Sequence, residues 1–415
     1  MDQAIVVIDV GKTRTKLTLW SEGRIVRRAD RANAAVSKDG LAQLDVVGIH
    51  DWLIAALADV SGSANIAAIV PVGHGAGAVL TRGEDAVAAL DYEAAPPADI
   101  AAGYDLERDP FAATLSPRLA GGLNVGAQLY WWERLRPDVW PLSGRALLWP
   151  QYWAFVLSGV RACETTSLGC HSDLWRPLEG RFSDLAMRRG WAERLGPLRR
   201  AGDVLGPIRR EVAAATGLPA DCAVYCGLHD SNAALHAARG LLELSGGPFS
   251  VISTGTWFVC LSAGGTETVC YDPAEDMLAN VDVDGRPTPT ARFMGGRDYE
   301  AWMGAAIGAG SEPALLARAE ALVDGRTAAP ALRATWAALQ LARRADRALA
   351  LINAEGPILV EGRFAHDVAF AVALARIRSR QPVFRSTLVD GVALGALRLA
   401  AGGRFSPPAL DRVLP

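Results

Sequence analysis

Residues Ala223–Thr256 read AVYCGLHDSNAALHAARGLLELSGGPFSVISTGT. An apolar strand, Ala223–Cys226, runs into Gly227. Asp230 then opens an Ala-rich helical segment, Ser231–Arg239. A Gly246-Gly247 break precedes a second strand, Phe249–Ser253, which ends in the hydroxyl-bearing turn Thr254-Gly255-Thr256. A lone carboxylate at a strand-to-helix turn suits a general base, and it equally suits a helix N-cap. A Ser-Thr-Gly-Thr turn suits phosphate oxygens, because glycine lets backbone N–H groups approach closely.

Composition bounds the rest. The chain has 415 residues, 50% of them hydrophobic, enough for two or three cores. A net charge of −3 without basic blocks speaks against an electrostatic nucleic-acid binder. The start, MDQAIVVIDVGKTRT, lacks the basic and long apolar regions of a signal peptide. No apolar run reaches the ~18 residues of a membrane helix. The six cysteines include Cys222 and Cys226 beside a strand, read as small buried hydrophobes and not as metal ligands. A cytoplasmic, reduced protein is expected.

Outward from the central stretch, the N-terminus is an antiparallel meander. Strands are expected at 4–10, 16–20 and 24–28, with Asp9 at the end of the first and Gly11-Lys12-Thr13-Arg14-Thr15 as the turn. A dinucleotide fold would need a Gly-rich turn leading into a helix, and its want speaks against a dehydrogenase. A helix is expected over 47–61, a strand over 66–70, then Gly73-His74-Gly75 and a short strand over 78–81. The Pro-rich 96–117 reads as a surface wrap, 163–167 as a polar loop and 191–201 as a helix. After Thr256, strands are expected at 257–262, 268–271 and 277–283, the last closed by Asp284-Gly285. Helices follow from Tyr299 and over 331–353, 366–379 and 389–401. Strands at 358–361 and 382–384 are interleaved. The meander of 5–20 returns at 249–262, each copy with a phosphate-type turn, which suggests two similar domains facing a cleft.

These motifs, in this order, resemble the FGGY carbohydrate kinases, of the ATPase superfamily that includes actin, hexokinase and the heat-shock chaperones. Asp9-Val10-Gly11-Lys12-Thr13-Arg14-Thr15-Lys16 is similar to the first phosphate motif and Ser253-Thr254-Gly255-Thr256-Trp257 to the second. Gly227-Leu228-His229-Asp230-Ser231-Asn232 resembles the catalytic-acid segment, and His229-Asp230 with the Ser-Thr-Gly-Thr-Trp turn looks most like the rhamnulokinase branch. Lys12, where the family often has Thr or Ala, and Glu361-Gly362-Arg363, where it usually has Gly-Gly-Gly, are departures.

The resemblance implies an α/β fold of two ribonuclease-H-like (actin-like ATPase) domains flanking a catalytic cleft. Residues 1–246 would bind the sugar and carry the first phosphate motif and the catalytic acid; 247–415 would bind nucleotide. It implies ATP-dependent phosphorylation of a ketose or polyol, with Asp230 as base and Asp9 holding Mg²⁺. Gly11, Lys12, Thr13, Thr15 and Lys16 would serve the phosphates from one side. Thr254, Gly255 and Thr256, with Gly295 and Gly296, would serve them from the other, and Gly362, Arg363 and Phe364 would lie beside adenosine. His74, Glu164 and His229 would join Asp230 at the sugar, with Trp131, Trp175 or Trp257 as stacking candidates. The partner is a small sugar or polyol, with no nucleic acid and no membrane, and a homodimer is allowed. A non-sugar hydroxyl acceptor, or a catalytically weak sugar-binding or regulatory protein of this fold, is the rival reading.

Overall fold

The computed structural model describes residues 3–137, 140, 144–386, 390–401 and 410–414. The chain forms two compact units, both interrupted in sequence. The first comprises Met1–Ala237, Ala279–Pro287 and Asp390–Ser406, and the second Ala238–Leu278, Thr288–Val389 and Pro407–Pro415. The sequence suggested one break, at 246/247. The units instead interleave, because the helix Gly391–Ala401 returns to the first: a Cβ on Gly395 would lie 1.8 Å from the carbonyl of Ala233. Glycine there lets this helix lie against Asp230–Arg239. Val389, the expected start of the last helix, lies outside the described residues.

In the first unit the strand order is Val204–Pro207, Ala223–Tyr225, Asn65–Gly73, Gln3–Val10, Arg14–Ser21, Arg24–Ala32, with Leu228–His229 beside the end of Asn65–Gly73. Gln3–Val10 and Asn65–Gly73 are parallel and nearly continuous in apolar residues, as strands covered on both faces must be. Arg24–Ala32 forms the edge and carries Arg24, Arg27, Arg28 and Arg31, charges that discourage further strand pairing. The core gathers Val6, Ile8, Leu17 and Leu19 with Leu53 and Leu57 of the helix Val46–Ser61, and Trp153 of the helix Trp149–Ser158. A separate cluster in the same unit holds Tyr104, Trp131, Trp132, Trp175 and Trp191.

In the second unit the order is Pro287–Phe293, Phe258–Ala263, Phe249–Thr254, Ile358–Gly362, Val383–Arg385, Asp411–Val413. Phe249–Thr254 pairs antiparallel with Phe258–Ala263 and parallel with Ile358–Gly362, as Gln3–Val10 does with its own neighbours. The repeat read from the sequence is therefore a repeat of topology. The helix Pro330–Leu351 starts with proline at its first turn, a position needing no N–H donor, and buries an Ala/Leu face.

Four local expectations change. The 96–117 stretch forms helices Ala98–Glu107 and Phe111–Thr114 and buries Tyr104, Leu115 and Ser116, so it is not a surface wrap. Cys163–Ser167 is a short strand and a helical turn, all but Thr165 buried. The 191–201 helix stops at Leu195, because Gly196, at φ +90°, and Pro197 break it. Residues 268–271 pair with no strand; Val269 and Tyr271 only lean on the core.

Candidate active site

Register builds the candidate site of the first unit. Val10 pairs with Gly73, and Gly73 with His229, so three parallel strands end at one level. Asp9 lies one residue before that level, and His74 and Asp230 one residue after it. Carboxyl ends of parallel strands are where α/β folds place their ligands.

Asp9 faces Lys16, its antiparallel partner, with Nζ 3.5 Å from Oδ2. Burial, then Asp230 and Asp390, push the Asp9 carboxyl up to about 7 against the opposing pull of Lys16. The turn after it is clamped by Asn33, whose Nδ2 donates to the Gly11 carbonyl at 2.8 Å and whose backbone N–H donates to the Thr13 carbonyl at 2.8 Å. The Thr15 hydroxyl is buried and donates to Asn33 Oδ1 at 3.1 Å. Thr15 therefore holds the turn together and does not offer its hydroxyl to a phosphate. Thr13 is exposed, and Lys16 remains beside Asp9. Lys12 leaves the turn altogether: its ammonium pairs with Asp91 and lies 3.7 Å from Glu93 Oε2.

Asp230 opens the helix Asp230–Arg239. Its protein bonds all end on Oδ1, from Ser231 N at 2.6 Å, Ser231 Oγ at 3.3 Å and His229 Nε2 at 3.0 Å. Oδ2 has no protein partner among the described residues. A third of the side-chain surface is open. The atoms crowded around it still penalise its charge, but His229, then His74 and the Ser231 N–H, outweigh that and hold the carboxyl below its usual range.

His229 is buried, with Cys170 Sγ 3.3 Å from Nε2 and Asn232 Nδ2 3.1 Å from Nδ1. Burial opposes its charge, but Cys170 and Asp230 raise it well above the ordinary histidine value. A half-turn of the Asn232 amide offers its unpartnered Oδ1 to the Nδ1–H of that imidazolium. Burial opposes ionisation of the Cys170 thiol, but His171 and His229 draw it down to about 6.

Glu164 was expected at the sugar. It is fully buried, and its carboxylate accepts from Thr166 N (2.8 Å), Thr166 Oγ1 (2.6 Å), Ser167 N (3.1 Å) and Ser167 Oγ (3.3 Å). It is a helix cap with no capacity left for a ligand. Through Thr166 Oγ1, which accepts the His229 N–H at 3.0 Å, it fixes the backbone before Asp230.

His74 stacks on Trp149 (centroids 5.3 Å apart, 26°) and meets the Tyr92 ring edge-on at 5.3 Å. It is buried, both ring nitrogens lack a partner among the described residues, and burial lowers it to about 4 despite Asp230. Trp149 itself donates to the Val10 carbonyl at 2.8 Å, tying this wall to the first strand. Trp131 and Trp175 are buried core residues; Trp257 is 38% exposed, with Arg292 over its ring at 4.8 Å.

The second unit gathers the nucleotide candidates by the same rule. Thr254 pairs with Gly362 at the carboxyl ends of two parallel strands. Gly362 has φ +80°, and a Cβ there would stand 2.3 Å from the Thr254 carbonyl. Gly296 donates its N–H to Thr256 at 3.1 Å, and a Cβ on it would strike Gly255 O at 2.3 Å; one on Gly295 would strike Phe258 at 2.5 Å. Those two glycines thus seat the helix Gly295–Met303 against the Gly255-Thr256 turn, and the Gly296 N–H is spent.

The Thr254 hydroxyl is also spent, donating to Glu361 O at 2.5 Å and accepting from Phe364 N at 2.9 Å. The Phe364 ring is core, packed on Phe258, Tyr299 and Phe370, so it is no base platform. Arg363 is half exposed, 3.3 Å from Glu300 and 5.5 Å over Tyr299. Burial pushes Glu361 up to about 7, against a hydrogen bond from Ser253. Gly255 and Thr256 stay at the surface of the turn.

The donor set suits a hard cation. Asp230 and Asp390 both act electrostatically on Asp9, with Lys16 beside Asp9 and His229 beside Asp230. Among the described residues no group of three or more ligands is close enough to hold a metal alone. Mg²⁺, which keeps several waters and takes one or two carboxylates, matches that pattern.

Sequence reasoning missed Asn33, Tyr92, Trp149, Cys170 and Asp390. Asp390 had a readable signal, since its side chain caps the last helix through Ala393 N at 3.2 Å.

No curated protein matches the chain. The family described as "Carbohydrate kinase FGGY, C-terminal domain" matches residues 246–335 and 315–408. A carbohydrate kinase from Novosphingobium aromaticivorans is 41% identical over 100% of this chain and 94% of that one, with a TM-score of 0.93. A xylulose kinase from Rhodospirillum rubrum shares the fold at 19% identity (99% and 93% covered, TM-score 0.79). So does the Plasmodium falciparum glycerol kinase with ADP, at 12% identity (96% and 89% covered, TM-score 0.75). Among the described residues no helix is long and apolar enough to cross a membrane.

Proposed function

The chain belongs to the family of FGGY carbohydrate kinases, with two actin-like ATPase domains, and from that premise we propose that it transfers the γ-phosphoryl group of ATP to a primary hydroxyl of a neutral ketose or polyol. The first unit serves the acceptor and the second the nucleotide. The observation that carries the reading is the shared level of three strand ends, with the open Oδ2 of Asp230 near the unpartnered nitrogens of His74.

Mg-ATP supplies the phosphoryl group and neutralises the charge that develops on it. Asp9 would hold the Mg²⁺, through water, with Lys16 beside it. In the first unit the backbone of the Gly11–Thr15 turn would serve a phosphate; in the second, the backbone of Gly255-Thr256 would serve a phosphate and Gly362 and Arg363 would lie on the adenosine side. The acceptor hydroxyl donates to Asp230 Oδ2 while His74 binds a neighbouring oxygen. As the bond from the hydroxyl oxygen to the γ-phosphorus would form and the bond to the β–γ bridging oxygen break, with ADP leaving, the hydroxyl proton would pass to Asp230. His229 keeps Asp230 ionised until then. An ADP-release screen over ketoses such as rhamnulose, fuculose and xylulose, and over polyols, tests this. Activity on one of them, abolished by EDTA, is expected. ADP release with none of them, but with a non-sugar alcohol, would overturn the acceptor class.

A further inference from the structure

The lysine of the first phosphate turn does not stay with the turn. Its ammonium pairs with Asp91, sits near Glu93 and lies 4.8 Å over the ring of Tyr92. The same Tyr92 ring meets His74, and His74 stacks on Trp149. Trp149, His74, Tyr92 and Lys12 thus form one continuous wall. Asp230 acts electrostatically on both His74 and Tyr92, while Lys12 and Asp91 act on His74. We propose that Lys12 and Asp91 form a specificity element for the acceptor, reading a hydroxyl pair away from the transferred one, and that Lys12 is not a nucleotide ligand.

The pair is held firmly enough to select. Asp91 is 4% exposed at the side chain and Lys12 18%. Asp91 Oδ1 also accepts the Glu93 N–H at 3.0 Å, and the Asp91 N–H donates to Ala42 O at 3.0 Å. The neighbouring Ala89 is bound from both sides, by Leu44 N at 2.8 Å and by Gln43 Oε1 at 3.1 Å. An ammonium has three donors and no acceptor. One donor is used on Asp91, and Asp91 Oδ2 has no hydrogen-bond partner among the described residues. Remaining donors beside an open acceptor complement vicinal hydroxyls, each of which gives and takes a hydrogen bond. The local charge is not cationic, since Asp91 and Glu93 more than balance Lys12. A sugar acid would bring a carboxylate into that field, so neutral acceptors are selected over aldonates.

This inference rests on the proposed kinase function, and the experiment separates the two. Wild type is first screened for ADP release, then Lys12→Met, Asp91→Asn and Lys12→Met/Asp91→Leu are compared with the best acceptor. The double variant removes both charges, so no buried carboxylate is left unpaired. Lys12→Met and the double variant are expected to raise the acceptor KM roughly tenfold or more, the scale of a lost charge-assisted hydrogen bond. The KM for ATP should stay within about twofold of wild type in the same variants, which also reports that they fold. Asp91→Asn should narrow the preference for the neutral sugar over its aldonate. A rise in the KM for ATP with the acceptor KM unchanged would return Lys12 to the nucleotide, and no change in either would remove it from the site. Both outcomes overturn the inference while leaving the kinase reading intact. A wild type inactive on every acceptor overturns both.

Discussion

Replacing Asp9 by Asn should stabilise the apo protein above neutral pH while impairing its use of Mg-ATP. The Asp9 side chain is 14% exposed, and burial with Asp230 and Asp390 lifts its carboxyl from 3.8 to about 7. An acid raised on folding is tolerated neutral and penalised charged. Its contribution is fully present below pH 3.8 and is lost as pH rises through about 7. At about 1.4 kcal/mol per pH unit that gap is worth roughly 4 kcal/mol by pH 8. The opposing pull of Lys16 is already contained in that gap. For a domain of this size that is on the order of 7 °C in Tm. Thermal melts of wild type and Asp9→Asn at pH 5, 6.5 and 8, without nucleotide, should show the variant ahead at pH 8 and the gap closing toward pH 5. Mg-ATP should stabilise wild type more than the variant. A Tm difference independent of pH, or a variant less stable at pH 8, would refute the picture of a burdened carboxylate at this strand end.

Other outcomes are as specific. Asp230→Asn retains the shape and a capping side chain, so kcat should fall by roughly 10²–10⁴ while Tm moves little; retention of more than about a tenth of wild-type kcat would leave Asp230 only a cap. Gly362→Ala forces a Cβ against the Thr254 carbonyl at a positive φ, and ADP binding, read by calorimetry, should weaken severely; unchanged binding would take this strand end out of the nucleotide site.

Much of this was legible in the chain itself. The apolar run 4–10, the Asp9 turn and its return at 249–262 dictated two copies of a strand meander, because strand period and turn chemistry are local properties. The order of Asp9, Asp230 and Thr254-Gly255-Thr256 fixed the family resemblance, and with it the kinase chemistry. Where hydroxyls and carboxylates point is not local. Thr15 and Thr254 look like phosphate ligands in sequence, but Asn33 in one case and Glu361 with Phe364 in the other take up their hydroxyls. Glu164 is a cap because Thr166 and Ser167 curl back onto it, and Lys12 leaves the phosphate turn because Asp91, far along the chain, is held beside it. Asp390 reaches Asp9 only because Gly395 lets the last helix settle on Ala233. The sequence alone determined which groups the chain carries and the periodic elements that present them. Tertiary packing decided which of those groups are already satisfied and which remain open, since a buried hydrogen bond is made with whatever partner the fold brings within 3 Å or so.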